Sequence, residues 1–432
     1  MNCSKREHCG HRAPLMIMTR RGAMKVSLAT GLASVLGPTL GQAFGGATAQ
    51  PSPSRKSVIL LWLEGGPYQQ DTFDPKDPAA DTKLGFKYAP MECAPGLEIA
   101  SSMPRLARCG EHLAFIRSMV SLETEHKQAE YYMQTGWRST GPIQAPSLGS
   151  IVSHELGAPE ADGLPAYVSI GREGYPAGHL GPAHLPAVVW DPASPPENLG
   201  LPNGVSPETF QRRLRLLEAV ERGAIANPAR ERNSVGREGA VRFMRSSLRS
   251  AFDVSLESER TRESYGKGRF NQGCLLARRL VESGVRFVQV RQGGYDTHAD
   301  HYNKHDQLVQ VLDRAMSSLI IDLKERGLLD STVVIAAGEF GRTPTMNGDA
   351  GRDHWINGFS VAMAGGGIKG GVAYGRTNET GQEVAENPAR LPDFMATVCH
   401  AIGIDGEKEY VDDFNRPIKL VDDGDPIEEI LI

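Results

Sequence analysis

Gly293-Gly-Tyr-Asp-Thr-His298, Gly338-Glu-Phe-Gly-Arg-Thr-Pro344 and Gly351-Arg-Asp-His-Trp355 are three pieces of one stretch that decides the fold. Each piece lies beside a strand-like run, namely Arg286–Val290, Thr332–Ala337 and Phe359–Ala364. Open α/β sheets bind their ligands at the carboxyl ends of their strands. We therefore expect the carboxylates and imidazoles of these pieces to converge in space.

Carboxylate oxygen together with imidazole nitrogen is a typical ligand set for metal ions. The sequence predicts a metal site whose candidate ligands are Asp296, His298, Glu339 and His354. Each candidate also has a purely structural interpretation. Asp296 could cap the helix that follows, Glu339 could form an ion pair with Arg342, and Asp353-His354 could form a loop salt link with Arg352.

The apolar run Ser57–Leu63 has the length and composition of a central strand that is buried on both faces. Further strand-like runs, at Leu113–Met119 and Leu164–Ile170, alternate with helical patterns. The clearest helix, Lys304–Arg326, has leucines at three- and four-residue intervals and ends before Gly327. This alternation predicts an α/β fold with a doubly wound, mainly parallel sheet and helices on both faces.

The N-terminal segment has the pattern of an export signal. Thr19-Arg20-Arg21 is a twin-arginine pattern, the apolar run Val26–Phe44 follows it, and Ala47-Thr48-Ala49 offers a cleavage site. We expect residues 1–49 to be a signal peptide and the protein to reach the periplasm or cell surface; a membrane anchor is the alternative. Residues 50–432 would then be a single domain with a helical or loop insertion around 171–265.

Composition argues against several classes of protein. Removal of residues 1–49 takes away six of the 47 basic residues and one of the 52 acidic ones, which leaves 41 against 51. A generic nucleic-acid binder is basic, so we expect no nucleic-acid partner. No segment after residue 49 is apolar enough to span a bilayer. Cys93 and Cys109 could form a disulfide in an oxidising compartment or stay as buried thiols.

The motifs resemble those of the exported family called domain of unknown function 1501. The matching segments are Gly65-Gly-Pro67, Asp71-Thr-Phe-Asp-Pro75 and the three pieces quoted above. That family in turn is similar to the alkaline phosphatase and sulfatase superfamily, in which a doubly wound sheet carries two metals at its strand ends. The resemblance implies an alkaline phosphatase-like fold with a divalent metal (zinc, calcium or manganese) and no nucleotide cofactor.

The resemblance also assigns roles residue by residue. It implies that Asp296 and His298 are metal ligands, that His354 is a lone histidine ligand and that Asp71 is a carboxylate ligand after the first strand. An Asx-type turn is the alternative for Asp71. Asp353 would orient His354 from behind. Arg342 would clamp the oxygens of a phosphate or sulfate group.

Two positions depart from the superfamily pattern. Glu339-Phe340 stands where the superfamily has an Asp-His pair, so the phenyl ring of Phe340 replaces an imidazole that binds metal. The position of the superfamily nucleophile, counted back from Gly136, holds His126 instead of a hydroxyl or thiol residue. A histidine can attack phosphorus or act as a base, and a solvated His126 at a helix start is the alternative.

We therefore expect an exported, metal-dependent hydrolase of phosphate or sulfate esters with a degenerate metal site, in which His126 and Arg342 are the catalytic residues. The alternative is a non-catalytic exported protein on the same scaffold that binds a sulfated glycan or a protein partner, because one scaffold can host either function.

Overall fold

The computed structural model describes residues 56–432, except 80–83, 140–143, 158–162, 195–200, 202–203, 223–236, 238–240, 242–243, 245–246 and 412–415. All of these residues belong to one contact unit, Pro51–Ile432. The predicted signal peptide at residues 1–49 lies outside the described part of the chain. The predicted single domain with an insertion around 171–265 stays a prediction.

A nine-stranded sheet forms the centre of the protein. Its strands are β1 (Ser57–Glu64), β4 (Leu113–Val120), β5 (Tyr167–Ile170), β6 (Ala187–Val189), β7 (Phe287–Gly293), β8 (Thr332–Ala337), β11 (Phe359–Ala364), β12 (Val372–Tyr374) and β15 (Ala389–Arg390). The order is β12-β4-β11-β8-β1-β7-β5-β6, and β15 also pairs with β4. Strand β11 is antiparallel to both of its neighbours, whereas the other pairings are parallel.

Seven α-helices are described. They are α1 (His126–Thr135), α2 (Leu148–Leu156), α3 (Pro207–Arg222), α4 (Glu259–Tyr265), α5 (Arg269–Glu282), α6 (His301–Glu325) and α7 (Leu391–Ile402). Short two-stranded sheets form outside the central sheet: β2 (Pro90–Ala94) with β3 (Leu97–Ala100), β9 (Gly341–Arg342) with β10 (His354–Trp355), β13 (Arg376–Thr377) with β14 (Val384–Glu386), and β16 (Glu409–Val411) with β17 (Pro417–Lys419).

Strand β1 is buried on both faces because alternate side chains enter two different cores. Ile59, Leu61 and Leu63 belong to a cluster with residues of α5 and α6. Val58, Leu60 and Trp62 belong to a second cluster with residues of α2 and α7. The prediction of an α/β fold, with a mainly parallel sheet and helices on both faces, is confirmed.

The structure also adds detail to the sequence-based expectations. Within residues 171–265, where a helical or loop insertion is predicted, β6 forms a short edge strand of the central sheet. Cys93 and Cys109 are free thiols, and Cys109 is buried. Among the described residues, no helix has the length and apolar character needed to cross a membrane.

The central position of β1 gives a stability prediction. Leu61→Ala should lower the free energy of unfolding by about 2–5 kcal/mol, because Leu61 is fully buried and its loss leaves a cavity. Leu122→Ala is the matched control: Leu122 is 62% exposed, so its substitution should change stability by less than about 0.5 kcal/mol. Urea denaturation measures both. Equal effects would contradict the placement of β1 at the centre of the core.

Candidate metal centre

The carboxyl ends of three adjacent parallel strands carry the candidate site. Strand β1 lies between β7 and β8, and the chain continues from these strands into Gly65, Gly294–Asp296 and Gly338–Glu339. Gly65 has a φ of +104°, and a Cβ there would lie 2.3 Å from the backbone nitrogen of Asp296. Glycine is therefore needed after β1 for the two loops to approach each other so closely.

Asp296 is the side chain on which the site converges. Its Oδ1 lies 2.6 Å from Nη2 of Arg342, 3.0 Å from Nε2 of His298 and 3.3 Å from Nε2 of His354. Its Oδ2 lies 3.3 Å from Nε2 of His126. Three imidazoles and one guanidinium thus surround a single carboxylate that remains 45% exposed.

Each of the three imidazoles uses its other nitrogen, Nδ1, to contact an oxygen away from Asp296. These outer contacts are His126 to Oε1 of Glu339 at 2.7 Å, His298 to Oδ1 of Asp353 at 2.8 Å, and His354 to the carbonyl oxygen of Thr124 at 2.7 Å. A carbonyl oxygen only accepts hydrogen bonds, and an ionised carboxylate does the same. We therefore assign the ring hydrogen to Nδ1 in all three histidines.

This assignment leaves the inner nitrogens, Nε2, as lone-pair donors in the neutral rings. Nε2 of His298 lies only 3.0 Å from Nε2 of His354, and both face Asp296. Two lone pairs at that distance repel unless a proton or a cation lies beside them. Histidines that bind a metal usually donate the hydrogen of one ring nitrogen to an oxygen. The second ring nitrogen then carries the lone pair that binds the metal.

Glu339 connects the site to the interior. The side chain is fully buried, and both of its oxygens accept a hydrogen bond from the backbone N–H of Gly65 at 3.0 and 3.1 Å. Burial raises the pKa of Glu339, and the hydrogen bond with His126 opposes that rise. The same hydrogen bond is the main reason that the pKa of His126 is raised.

The pKa values of Asp296 and His354 are both lowered, which favours the charged carboxylate and the neutral ring. Partial burial raises the pKa of Asp296, but the hydrogen bond and the charge of Arg342 outweigh it, so that the pKa is lowered. Burial lowers the pKa of His354, which favours the neutral ring that a cation needs.

Phe340 replaces the expected imidazole and has a packing role. Its ring stacks on His354 with centroids 4.2 Å apart, and it contacts His126 at 5.1 Å. The phenyl ring cannot bind a metal, but it limits the rotation of two imidazoles that can.

Arg342 lies in a different environment from the one predicted. Its side chain is fully buried and donates to the backbone carbonyls of Gly65, Gly66 and Arg352 as well as to Asp296. A guanidinium engaged in this way is not presented to a phosphate or sulfate group. It forms an ion pair with Asp296 and not with Glu339, the partner considered from the sequence.

Asp71 makes its contacts in a second place. Its carboxylate lies 3.6 Å from Nε2 of His301 and 3.7 Å from Nδ1 of His305, on helix α6. Burial raises the pKa of Asp71 to about 6 and lowers the pKa of each of these histidines to about 3. Neither His301 nor His305 was among the predicted site residues, although their four-residue spacing places both on one helix face.

The structure thus brings together seven of the eight predicted site residues: His126, Asp296, His298, Glu339, Arg342, Asp353 and His354. Their roles stay predictions. One ligand atom from each of His126, Asp296 and His354 lies within 4.8 Å of the others, which suits a metal ion. The donor chemistry of carboxylate plus neutral imidazole fits a divalent cation such as zinc.

The class of protein defined by this geometry is an α/β protein with a metal-type ligand cluster at the ends of its parallel strands. The chain belongs to the family described as protein of unknown function (DUF1501), whose profile matches residues 55–431. No curated protein matches the sequence.

Several solved structures are similar at low identity. The PsFucS1 sulfatase from Pseudoalteromonas sp. is 12% identical with a TM-score of 0.36, and the match covers 82% of this chain and 69% of that one. The periplasmic domain of EcEptC from Escherichia coli, in complex with Zn, is 10% identical with a TM-score of 0.37, over 88% and 96% of the two chains.

The contact between Glu339 and His126 gives a pH prediction. Glu339→Gln should lower the pKa of His126, because the hydrogen bond with the buried carboxylate is what raises it. In the wild type, the stabilisation by charged His126 is fully present below the ordinary pKa of about 6.5 and is lost as the pH rises through the folded-state value. NMR titration of the ring in metal-free protein measures the change.

Asp353→Asn is the control for this titration, because Asp353 contacts His298 and not His126. It should leave the titration of His126 nearly unchanged. An unaltered His126 pKa in the Glu339→Gln protein would show that the buried carboxylate does not control this ring.

Proposed function

We propose that the protein is a metal-dependent hydrolase of phosphate or sulfate esters. The observation that carries the proposal is the arrangement of three imidazoles, each held from behind by an oxygen and each directing Nε2 at Asp296. The choice of ester follows the resemblance of the motifs to the alkaline phosphatase and sulfatase superfamily.

His126, Asp296 and His354 would hold the cation, with His298 beside them. A bound divalent cation would polarise the ester oxygen and lower the pKa of a water molecule. The outer contacts to Glu339, Asp353 and the Thr124 carbonyl fix the ring orientations, which is how such contacts increase metal affinity.

His126 cannot serve as both ligand and nucleophile. Nδ1 contacts the buried Glu339, so only Nε2 remains, and this nitrogen faces Asp296. We therefore assign His126 to metal binding in place of the predicted role of nucleophile or base. Arg342 holds Asp296 in position through the 2.6 Å contact and replaces the predicted oxygen clamp.

His298 and Asp353 form the most exposed pair of the site. Both side chains are about half exposed, and the carboxylate accepts the Nδ1 hydrogen of the ring. A base oriented by a carboxylate is a common device for moving a proton. In the proposal this pair accepts the proton that the attacking water loses. Export to the periplasm or cell surface would give the enzyme access to extracellular esters, including those of sulfated glycans.

One observation favours the alternative of a non-catalytic binding protein. Asp296 already forms an ion pair with the buried Arg342, so its negative charge is partly neutralised before any cation binds. On this alternative the exposed imidazoles would bind an anionic partner such as a sulfated glycan, and no metal would be retained.

His354→Asn tests the proposal. The asparagine amide can still donate to the Thr124 carbonyl, but the inner nitrogen is lost. Metal affinity should fall by more than about 100-fold, because loss of outer contacts alone costs 10–100-fold. Hydrolysis of p-nitrophenyl phosphate and p-nitrophenyl sulfate should fall with it. Mass spectrometry of the dialysed protein measures the metal content.

His400→Asn is the matched control, since His400 is exposed on α7 and remote in sequence from the site. It should keep both metal and activity. Equal metal content in the two variants would contradict the assignment of His354, and a wild type without metal or activity would favour the binding protein.

A further inference from the structure

A second cluster of potential ligands lies in the interior, distinct from the centre around Asp296. Asp71, His301 and His305 are each at most 1% exposed, and one ligand atom from each lies within 4.8 Å of the others. Asp71 comes from a short 3-10 helix, Gln69–Asp71, that follows the β1 loop. The two histidines come from the first turns of α6.

The polar atoms that face the middle of this cluster have no hydrogen-bond partner among the described residues. They are both carboxylate oxygens of Asp71, Nε2 of His301 and Nδ1 of His305. The distances of 3.6 and 3.7 Å between the carboxylate and the rings exceed hydrogen-bond length. A buried, unpaired carboxylate is costly unless a counter-ion or a donor satisfies it.

Neighbouring cations do not fill this role. Arg352 is fully buried, but its guanidinium stacks 3.9 Å from the ring centroid of Tyr68. Its Nη1 and Nη2 groups donate to the backbone carbonyls of Thr343 and Leu84, whereas its Nε–H has no partner among the described residues. No ion pair joins Arg352 to Asp71 in the described part of the chain.

The outer nitrogens of both rings are held by hydrogen-bond partners. Nδ1 of His301 lies 2.7 Å from the hydroxyl of Thr297, which can donate or accept. Nε2 of His305 accepts the backbone N–H of Tyr68 at 3.0 Å. Two histidines four residues apart on one helix face are a common zinc-binding arrangement.

We propose that Asp71, His301 and His305 form a buried site for a divalent cation of the zinc type. The ligands would be a carboxylate oxygen, Nε2 of His301 and Nδ1 of His305. Because Nε2 of His305 accepts a hydrogen bond from Tyr68, the hydrogen of the neutral ring resides on Nδ1. For the neutral ring to bind the cation through Nδ1, this hydrogen must move to Nε2, and the Tyr68 N–H then loses its acceptor.

The site would support the first centre without contributing to its chemistry. Thr297, which contacts His301, lies between Asp296 and His298, and its carbonyl accepts the N–H of Arg352. A cation that fixes His301 thus also fixes the loop that presents Asp296 and His298. This role is structural, and it does not depend on the proposed hydrolase activity.

The test uses protein expressed with zinc and dialysed, in a His354→Asn background that removes the first centre. This protein should retain about one equivalent of zinc. Adding His305→Gln should abolish the retained metal, because the amide oxygen of glutamine can still accept the Tyr68 N–H while the ligand nitrogen is lost. His400→Gln, in the same background, should leave the metal content unchanged.

A spectroscopic measurement covers the case in which the buried variant fails to fold. The His354→Asn protein expressed with cobalt should show the d–d absorption of a histidine-ligated ion. Loss of metal with His305→Gln and a cobalt spectrum in its parent support the site. Absence of retained metal and of the cobalt spectrum, or retention of metal with His305→Gln, would overturn it and leave a buried water as the occupant.

Discussion

The site depends on one buried carboxylate, Glu339. It accepts two contacts from the Gly65 N–H and one from His126, and so joins the loop after β8, the loop after β1 and the start of α1. An ionisable group that is fully buried must be satisfied by such contacts or lose its charge. Without it, His126 would lose the partner that directs its second nitrogen at Asp296.

Much of the fold could be predicted because its strands are locally encoded. Val58–Leu63 and Val333–Ala337 are apolar at every position, as central parallel strands are, and β8 has the predicted bounds. The antiparallel direction of β11 has no local signature, since an apolar run reads the same in either direction. The edge strand β6 is three residues long, which is too short to show a periodic pattern of apolar residues.

The residues of the candidate site could largely be predicted from the sequence, but several of their contacts could not. Asp296, His298 and His354 follow or precede strands that meet at one edge, so that local patterns sufficed to bring them together. The burial of Arg342 depends on carbonyls of Gly65 and Gly66, distant in sequence, and Thr124 contributes only its backbone. Asp71 contacts α6 because of how Gln69–Asp71 packs, which no pattern of residues specifies.

The central claim is that His126, His354 and Asp296 hold a cation, with His298 beside them. The most direct measurement is anomalous diffraction at the zinc edge from crystals grown with zinc. The account predicts a peak about 2.0–2.2 Å from Nε2 of His126, Nε2 of His354 and a carboxylate oxygen of Asp296. A density map without a peak there, with Asp296 still bound to Arg342 and the rings in contact with one another, would contradict it.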